Sequence, residues 1–203
     1  MREIPLKTPA TLADFINLAE RFKNRPDYLG MQLVALVARG VDLNEPVDGQ
    51  TVLNRALSTQ RPWLVEALMA AGADPMAPSA GIPGFRAAVA WNETRAVSAM
   101  LKTGRVDINH TDARGNLAIH DAAVNGNSLL MKTLLAYGAQ ALVANLDGET
   151  ALDVFERLHV SHALHIHQDR ARLDLSRLDP LARINLFEAS WDRPSPPRPS
   201  MRF

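Results

Sequence analysis

No cysteine occurs among the 203 residues of this chain, which excludes disulfide staples, thiolate metal sites and cysteine nucleophiles and fits a reducing compartment. Charge of neither sign prevails: 22 basic residues face 22 acidic ones. A nucleic-acid partner is not expected from that balance, because phosphate neutralisation calls for a basic surplus or stripe. No stretch approaches the ~18 apolar residues of a membrane span. Arg2 and Lys7 precede no apolar run of signal-peptide length. The expected address is therefore the cytoplasm; the alternative is release into a host cell through a signal that leaves no such mark. No Gly-rich loop followed by a Lys-Ser/Thr pair is present to cradle phosphates, and no cofactor is expected. What the chain does have is 47% hydrophobic and 22% charged residues, an ordinary balance for a folded domain of this length.

It also has a repeat. Gly40, Gly72, Gly104 and Gly138 recur at spacings of 32, 32 and 34, and Gly49, Gly81, Gly115 and Gly148 at 32, 34 and 33. Four residues beyond each of the second set stands a large apolar residue: Leu53, Phe85, Ile119 and Leu152. Seven residues beyond, the column reads Ala56, Ala88, Ala122 and Phe155. Apolar pairs (Leu68–Met69, Met100–Leu101, Leu134–Leu135) close a helical pattern just before the first glycine column, and a glycine there suits a helix end. The second glycine column reads as a turn. Small alanines let stacked helices approach, and Phe155 marks a last unit with no further repeat packed in the same way.

The strings DGQTVLNRAL (from Asp48), RGNLAIHDAA (from Arg114) and DGETALDVF (from Asp147) resemble the opening of the ankyrin repeat, Asp-x-x-Gly-x-Thr-Pro-Leu-His-x-Ala. MAAGADP (from Met69) and LAYGAQA (from Leu135) resemble its close. The resemblance implies units of about 33 residues, each a β-turn and two antiparallel helices. The fold class it implies is all-α: a solenoid of about four to five repeats with capping helices at both ends. The expected segments are an N-terminal cap with an atypical first repeat (1–44), ankyrin repeats (45–158), C-terminal capping helices (159–191) and a disordered Pro-rich tail (192–203). Only His120 occupies the family's His position, where the resemblance gives it a structural role against the next hairpin; Asn54, Arg86 and Asp153 stand there in the other units. The unit around Ser79–Trp91 departs most, and its two glycines and proline are expected to distort its hairpin or shorten its first helix.

At the ends, Leu12, Phe15, Ile16, Ala19 and Phe22 follow helical spacing, with Thr8–Pro9 or Thr11 and Asp14 able to cap the start. Near the other end Pro180 marks a break or a first turn, and Leu181, Ile184 and Phe187 or Glu188 form a stripe that would pack on the repeats. His159, His162, His165 and His167 raise the alternative of a metal- or pH-responsive protein. Their spacing lacks the i, i+4 pairing with carboxylates that metal sites favour, so no metal is expected and partly exposed capping-helix histidines are the favoured reading. Asp121 beside His120 has no placed nucleophile nearby, and no catalytic residue is assigned. Asp42, Asp74 and Asp107 read as turn caps.

The function that the resemblance implies is binding of another protein in a concave groove, without catalysis, by a chain expected to be monomeric. Carried over position by position, the contacts fall on the hairpin tips (Asp48, Gln50, Ile82, Arg114, Asn116, Asp147, Glu149) and the ends of the first helices (Thr59, Trp91, Asn125). Trp91 stands out as a large aromatic where the fold has no need of one. Trp63 reads as packing. The Arg- and Ala-rich, Lys-poor composition leans bacterial, with two versions: an inhibitor or immunity-type protein for a cognate toxin, or an effector delivered into a host.

Overall fold

The computed structural model describes residues 9–22, 25–160 and 178–191, and the chain divides into two compact units, residues 1–108 and 109–203. His162, His165, His167 and the tail from residue 192 lie outside the described residues, as does Thr8.

The first unit holds α1 (Leu12–Arg21), α2 (Pro26–Ala38), α3 (Val52–Ser58), α4 (Pro62–Ala70), β1 (Pro78–Ser79), β2 (Ile82–Pro83), α5 (Gly84–Ala90) and α6 (Thr94–Leu101). Helix α1 starts where Thr11 and Asp14 satisfy each other's backbone N–H groups. Its inner face, Leu12, Phe15, Ile16 and Ala19, is buried, while Asp14, Asn17 and Glu20 face water. Prolines open α2 and α4, where the missing N–H has no partner to lose. The helices then stack in two rows: α2, α4 and α6 pack in succession, and α3 packs on α5. Leu29, Leu33, Leu36, Leu53, Leu57 and Leu68 are wholly buried between them. Each such side chain contributes about 1.5–3 kcal/mol over exposure.

Polar groups join the stacked modules. Asn44 Oδ1 accepts from the Asp74 N–H at 2.8 Å, Arg61 donates to Ala19 O at 3.0 Å, and Arg105 donates to Gly72 O at 2.9 Å. Arg39 likewise donates to Pro9 O. Asp42 and Asp74 cap their own turns by accepting from Asn44 and Met76 N–H groups, both at 2.8 Å.

The expected distortion around Ser79–Trp91 does not occur. Helix α5 spans seven residues, as α3 does, and its hairpin forms a two-stranded ladder with Pro78 opposite Pro83 and Ser79 opposite Ile82. Pro83 precedes the helix and can dispense with an N–H there. Gly84 is required for a different reason: a Cβ on it would lie 2.8 Å from Leu53 Cδ2 and 3.3 Å from Pro75 O. Glycine allows the close approach that replaces the usual side chain.

The second unit holds α7 (Ala118–Val124), α8 (Ser128–Ala136), α9 (Ala151–Phe155), a π-helical turn (Glu156–Val160) and α10 (Pro180–Trp191). Helix α7 packs on α8 and α9, and α10 packs on α8, α9 and the π-turn. Ile184 of α10 is fully buried, whereas Leu181, expected beside it in the stripe, is about half exposed. A charged seam does the rest. Glu188 receives hydrogen bonds from Ser128 and Lys132, and Arg183 pairs with Glu156 at 3.4 Å and Asp153 at 3.8 Å. Phe155 is fully buried, 5.3 Å from the His159 ring, under this capping arrangement.

Candidate partner-binding surface

The hairpin tips are of two kinds. In the first unit Val47 pairs with Gln50 and Ser79 with Ile82, each across two residues of positive φ: Asp48 (53°) and Gly49 (76°), Ala80 (51°) and Gly81 (80°). This is the type I′ turn, whose twist matches that of antiparallel strands. In the second unit the tips are one residue longer. Gly115 N–H bonds Asp112 O at 3.0 Å and Asp112 N–H bonds Asn116 O at 3.0 Å; Gly148 with Asn145 and Asn145 with Glu149 repeat the pattern. A turn closed by one left-handed glycine follows from that spacing. Asp112 and Asn145 stabilise these tips further, each accepting two N–H bonds from its own loop.

In the first unit, Asp48, Gln50 and Ile82 are exposed on the tips, Ile82 by 51%. Thr59 and Trp91 are the closing residues of α3 and α5, the same register position on two packed helices. Trp91 is 49% exposed, so it does not serve to fill a gap in the core. Trp63, by contrast, is half-buried on α4. Arg55 lies 3.9 Å from Asp48, a loose and solvent-exposed pairing worth little to stability.

In the second unit, Arg114, Asn125 and Asp147 are exposed, with Asn125 closing α7 as Thr59 and Trp91 close their helices. Asn116 and Glu149 are half-buried and hydrogen-bonded to neighbouring side chains. Asn116 accepts from Asn145 Nδ2 at 2.8 Å and bonds Asp112. Glu149 is gripped at both carboxylate oxygens by Arg157 at 2.8 and 3.0 Å, a contact that raises the Arg157 pKa through its hydrogen bond and charge. The sequence reading passed over Leu142 and Val143, which with Leu146 expose apolar side chains on the last hairpin (57%, 42% and 79%). The available signal was that polar Asn109 and His110 precede the corresponding tip one unit earlier.

His120 is structural, as expected of its position. It is buried, accepts the Leu117 N–H on Nδ1 at 3.1 Å, and therefore carries its proton on Nε2, which faces Glu149 O at 3.2 Å. Asn109 braces the same junction by accepting from the Gln140 N–H at 3.1 Å and donating to Gly138 O at 3.2 Å. His159 is likewise occupied: its Nε2 lies 2.9 Å from Ala123 O and 3.1 Å from Val124 O, closing the C-terminal end of α7. Among the described residues there is no group of three or more His, Asp and Glu side chains arranged to hold a metal, and no helix is long and apolar enough to cross a membrane.

Paired antiparallel helices joined by projecting hairpins, braced from one module to the next by backbone-directed side chains, define a helical-repeat protein with an all-α fold. Comparison places it further. Residues 100–155 match the family model described as ankyrin repeats (many copies). An ankyrin repeat-containing protein of Schizosaccharomyces pombe is 32% identical over 112 residues, 55% of this chain and 53% of that protein. The regulatory protein NPR1 of Arabidopsis thaliana is 38% identical over 65 residues, 32% of this chain and 11% of its own length. The chain thus spans about half of the first relative and about a tenth of the second. The chain carries ankyrin repeats. Ankyrin repeats generally mediate protein–protein interaction, and proteins built of them are typically non-enzymatic.

Proposed function

We propose that this chain is a non-enzymatic interaction module, monomeric and cytoplasmic, whose hairpin tips and first-helix ends grip a partner protein. The observation that carries the reading is Trp91, half exposed at a helix end where it contributes little to the core. Large aromatics at such positions dominate binding energies. In the first unit Ile82 and Thr59 extend the same face, with Asp48 and Gln50 at its rim. In the second, Leu142, Val143 and Leu146 supply an apolar ledge beside Asp147 and Arg114, whose charges would orient a partner more than hold it. Asn125, exposed at the end of α7, joins the contact set; Asn116 and Glu149 brace the tips through their side-chain bonds. Net neutrality favours a protein over a nucleic acid as partner. Of the finer versions, the Arg- and Ala-rich, Lys-poor composition is in keeping with a bacterial chain acting as inhibitor of a cognate toxin or as a translocated effector.

The test is capture from native lysate followed by titration of the captured partner. Trp91→Ala should weaken affinity by about 30-fold, the effect of a hot spot near 2 kcal/mol, and Arg114→Glu by less. Wild-type affinity in both variants would sink the assignment of this surface.

A further inference from the structure

Two Asp-Gly pairs stand on hairpin tips, Asp48–Gly49 and Asp147–Gly148, and the structure treats them differently. The Asp48 side chain is 85% exposed, and a Cβ placed on either glycine would meet nothing within 4 Å, so the difference lies in hydrogen bonding. Among the described residues the Gly49 N–H has no hydrogen-bond acceptor, while the Gly148 N–H donates to Asn145 O at 3.0 Å. Asp147 is held as well, its own N–H donating to Asn145 Oδ1 at 3.0 Å. Among the described residues the one ionic neighbour of Asp48 is Arg55, at 3.9 Å.

We propose that Asp48–Gly49 is a modification site, at which Asp48 converts spontaneously to isoaspartate through a cyclic imide. The Gly49 amide nitrogen attacks Asp48 Cγ. A C–N bond forms, a Cγ–O bond breaks, and the oxygen leaves as water with the amide proton and the carboxyl proton. Water then opens the ring. Attack at the original backbone carbonyl cleaves its bond to Gly49 nitrogen and leaves Gly49 attached through Cγ. No oxidant or cofactor is consumed, and the overall composition is unchanged. The reaction needs a bare glycine nitrogen, a free carboxyl and rotation of the intervening peptide. At Gly49 that rotation breaks no bond of its N–H among the described residues, whereas at Gly148 it breaks the bond to Asn145 O.

The consequence is local and severe. The former side-chain carbon enters the backbone of a two-residue turn, so the type I′ geometry linking Val47 to Gln50 is lost and the carboxylate moves. If Asp48 contacts a partner as proposed above, modification weakens that contact; the chemistry itself does not depend on that reading.

The test is prolonged incubation of the full chain at neutral pH, with isoaspartate located by enzymatic methyl labelling and peptide fragmentation. The product should accumulate at Asp48 about fivefold faster than at Asp147, the factor that one net hydrogen bond represents. In urea the two rates should converge. Asp48→Glu, which cannot close the five-membered ring, should remove the product at 48 and leave it at 147. Equal rates in the folded chain, faster reaction at 147, or a fivefold ratio that persists in urea would each overturn the proposal.

Discussion

The contact between Gly126 and His159 makes a quantitative prediction. Gly126 closes α7 with φ 69°, and a Cβ on it would lie 2.8 Å from His159 Cε1 and 2.9 Å from Nδ1. Gly126→Ala should therefore suffer twice. A left-handed backbone costs an alanine about 1 kcal/mol. The displaced imidazole also surrenders its bonding to Ala123 and Val124 carbonyls, worth about 1 kcal/mol net. His159→Ala alone loses only the second quantity. The double variant loses each once, so it should be no less stable than Gly126→Ala, and the two single effects should overshoot the double by about 1 kcal/mol. Urea denaturation of the four proteins, read at the midpoint with unchanged slope, measures this. Additivity to within about 0.3 kcal/mol would refute the placement of the ring against α7.

Three further substitutions test other features. Asn54 stands where His120 stands two units later, and its Oδ1 has no partner among the described residues; Asn54→His should bridge Thr51 N–H and Ile82 O and stabilise the chain by about 1 kcal/mol, visible as a raised urea midpoint, with no gain counting against the parallel. Ala80 sits at φ 51° in a type I′ turn, so Ala80→Asn should raise the thermal midpoint by relieving about 0.5–1 kcal/mol, and a lowered midpoint would contradict the turn assignment. Hydrogen bonds from Lys132 and Ser128 hold the Glu188 pKa below its usual value. A depressed carboxylate adds stability at neutral pH that fades as acidity passes through the lowered pKa; wild type should thus exceed Glu188→Gln at neutral pH and converge with it in acid, and a gap constant with pH would count against the seam.

How much of this could be read beforehand depended on which interactions leave a periodic trace. The paired glycine columns, the apolar positions four residues on and the alanines of the first helices all recur because each module meets the same neighbours, so the helix pairs were legible. His120 was legible through the resemblance, which gives that position a structural role, and Thr11 with Asp14 because a capping box is a local pattern. What escaped was aperiodic. Gly84 looked like a breaker because its partner, the Leu53 side chain, is remote in sequence. Leu181 and Ile184 are alike in composition, and only the placement of α10 separates the exposed one from the buried one. His159 belongs to a run of histidines read as partly exposed capping-helix residues, and its engagement with two α7 carbonyls depends on a π-turn that no spacing rule foretold. On the candidate surface, tip positions could be assigned from register, but the bonding of Asn116 to Asn145 and of Glu149 to Arg157 could not, since it arises from side-chain geometry.

The difference between two-residue and three-residue tips has an evolutionary reading. Helices α3, α5 and α7 are all seven residues long, so the change in tip length leaves the first helix of each module unaltered. Growth or shrinkage of a finger therefore changes the reach and chemistry offered to a visitor while the scaffold beneath keeps its dimensions. Such a chain can acquire new binding preferences by editing a few loop positions, with little risk to folding.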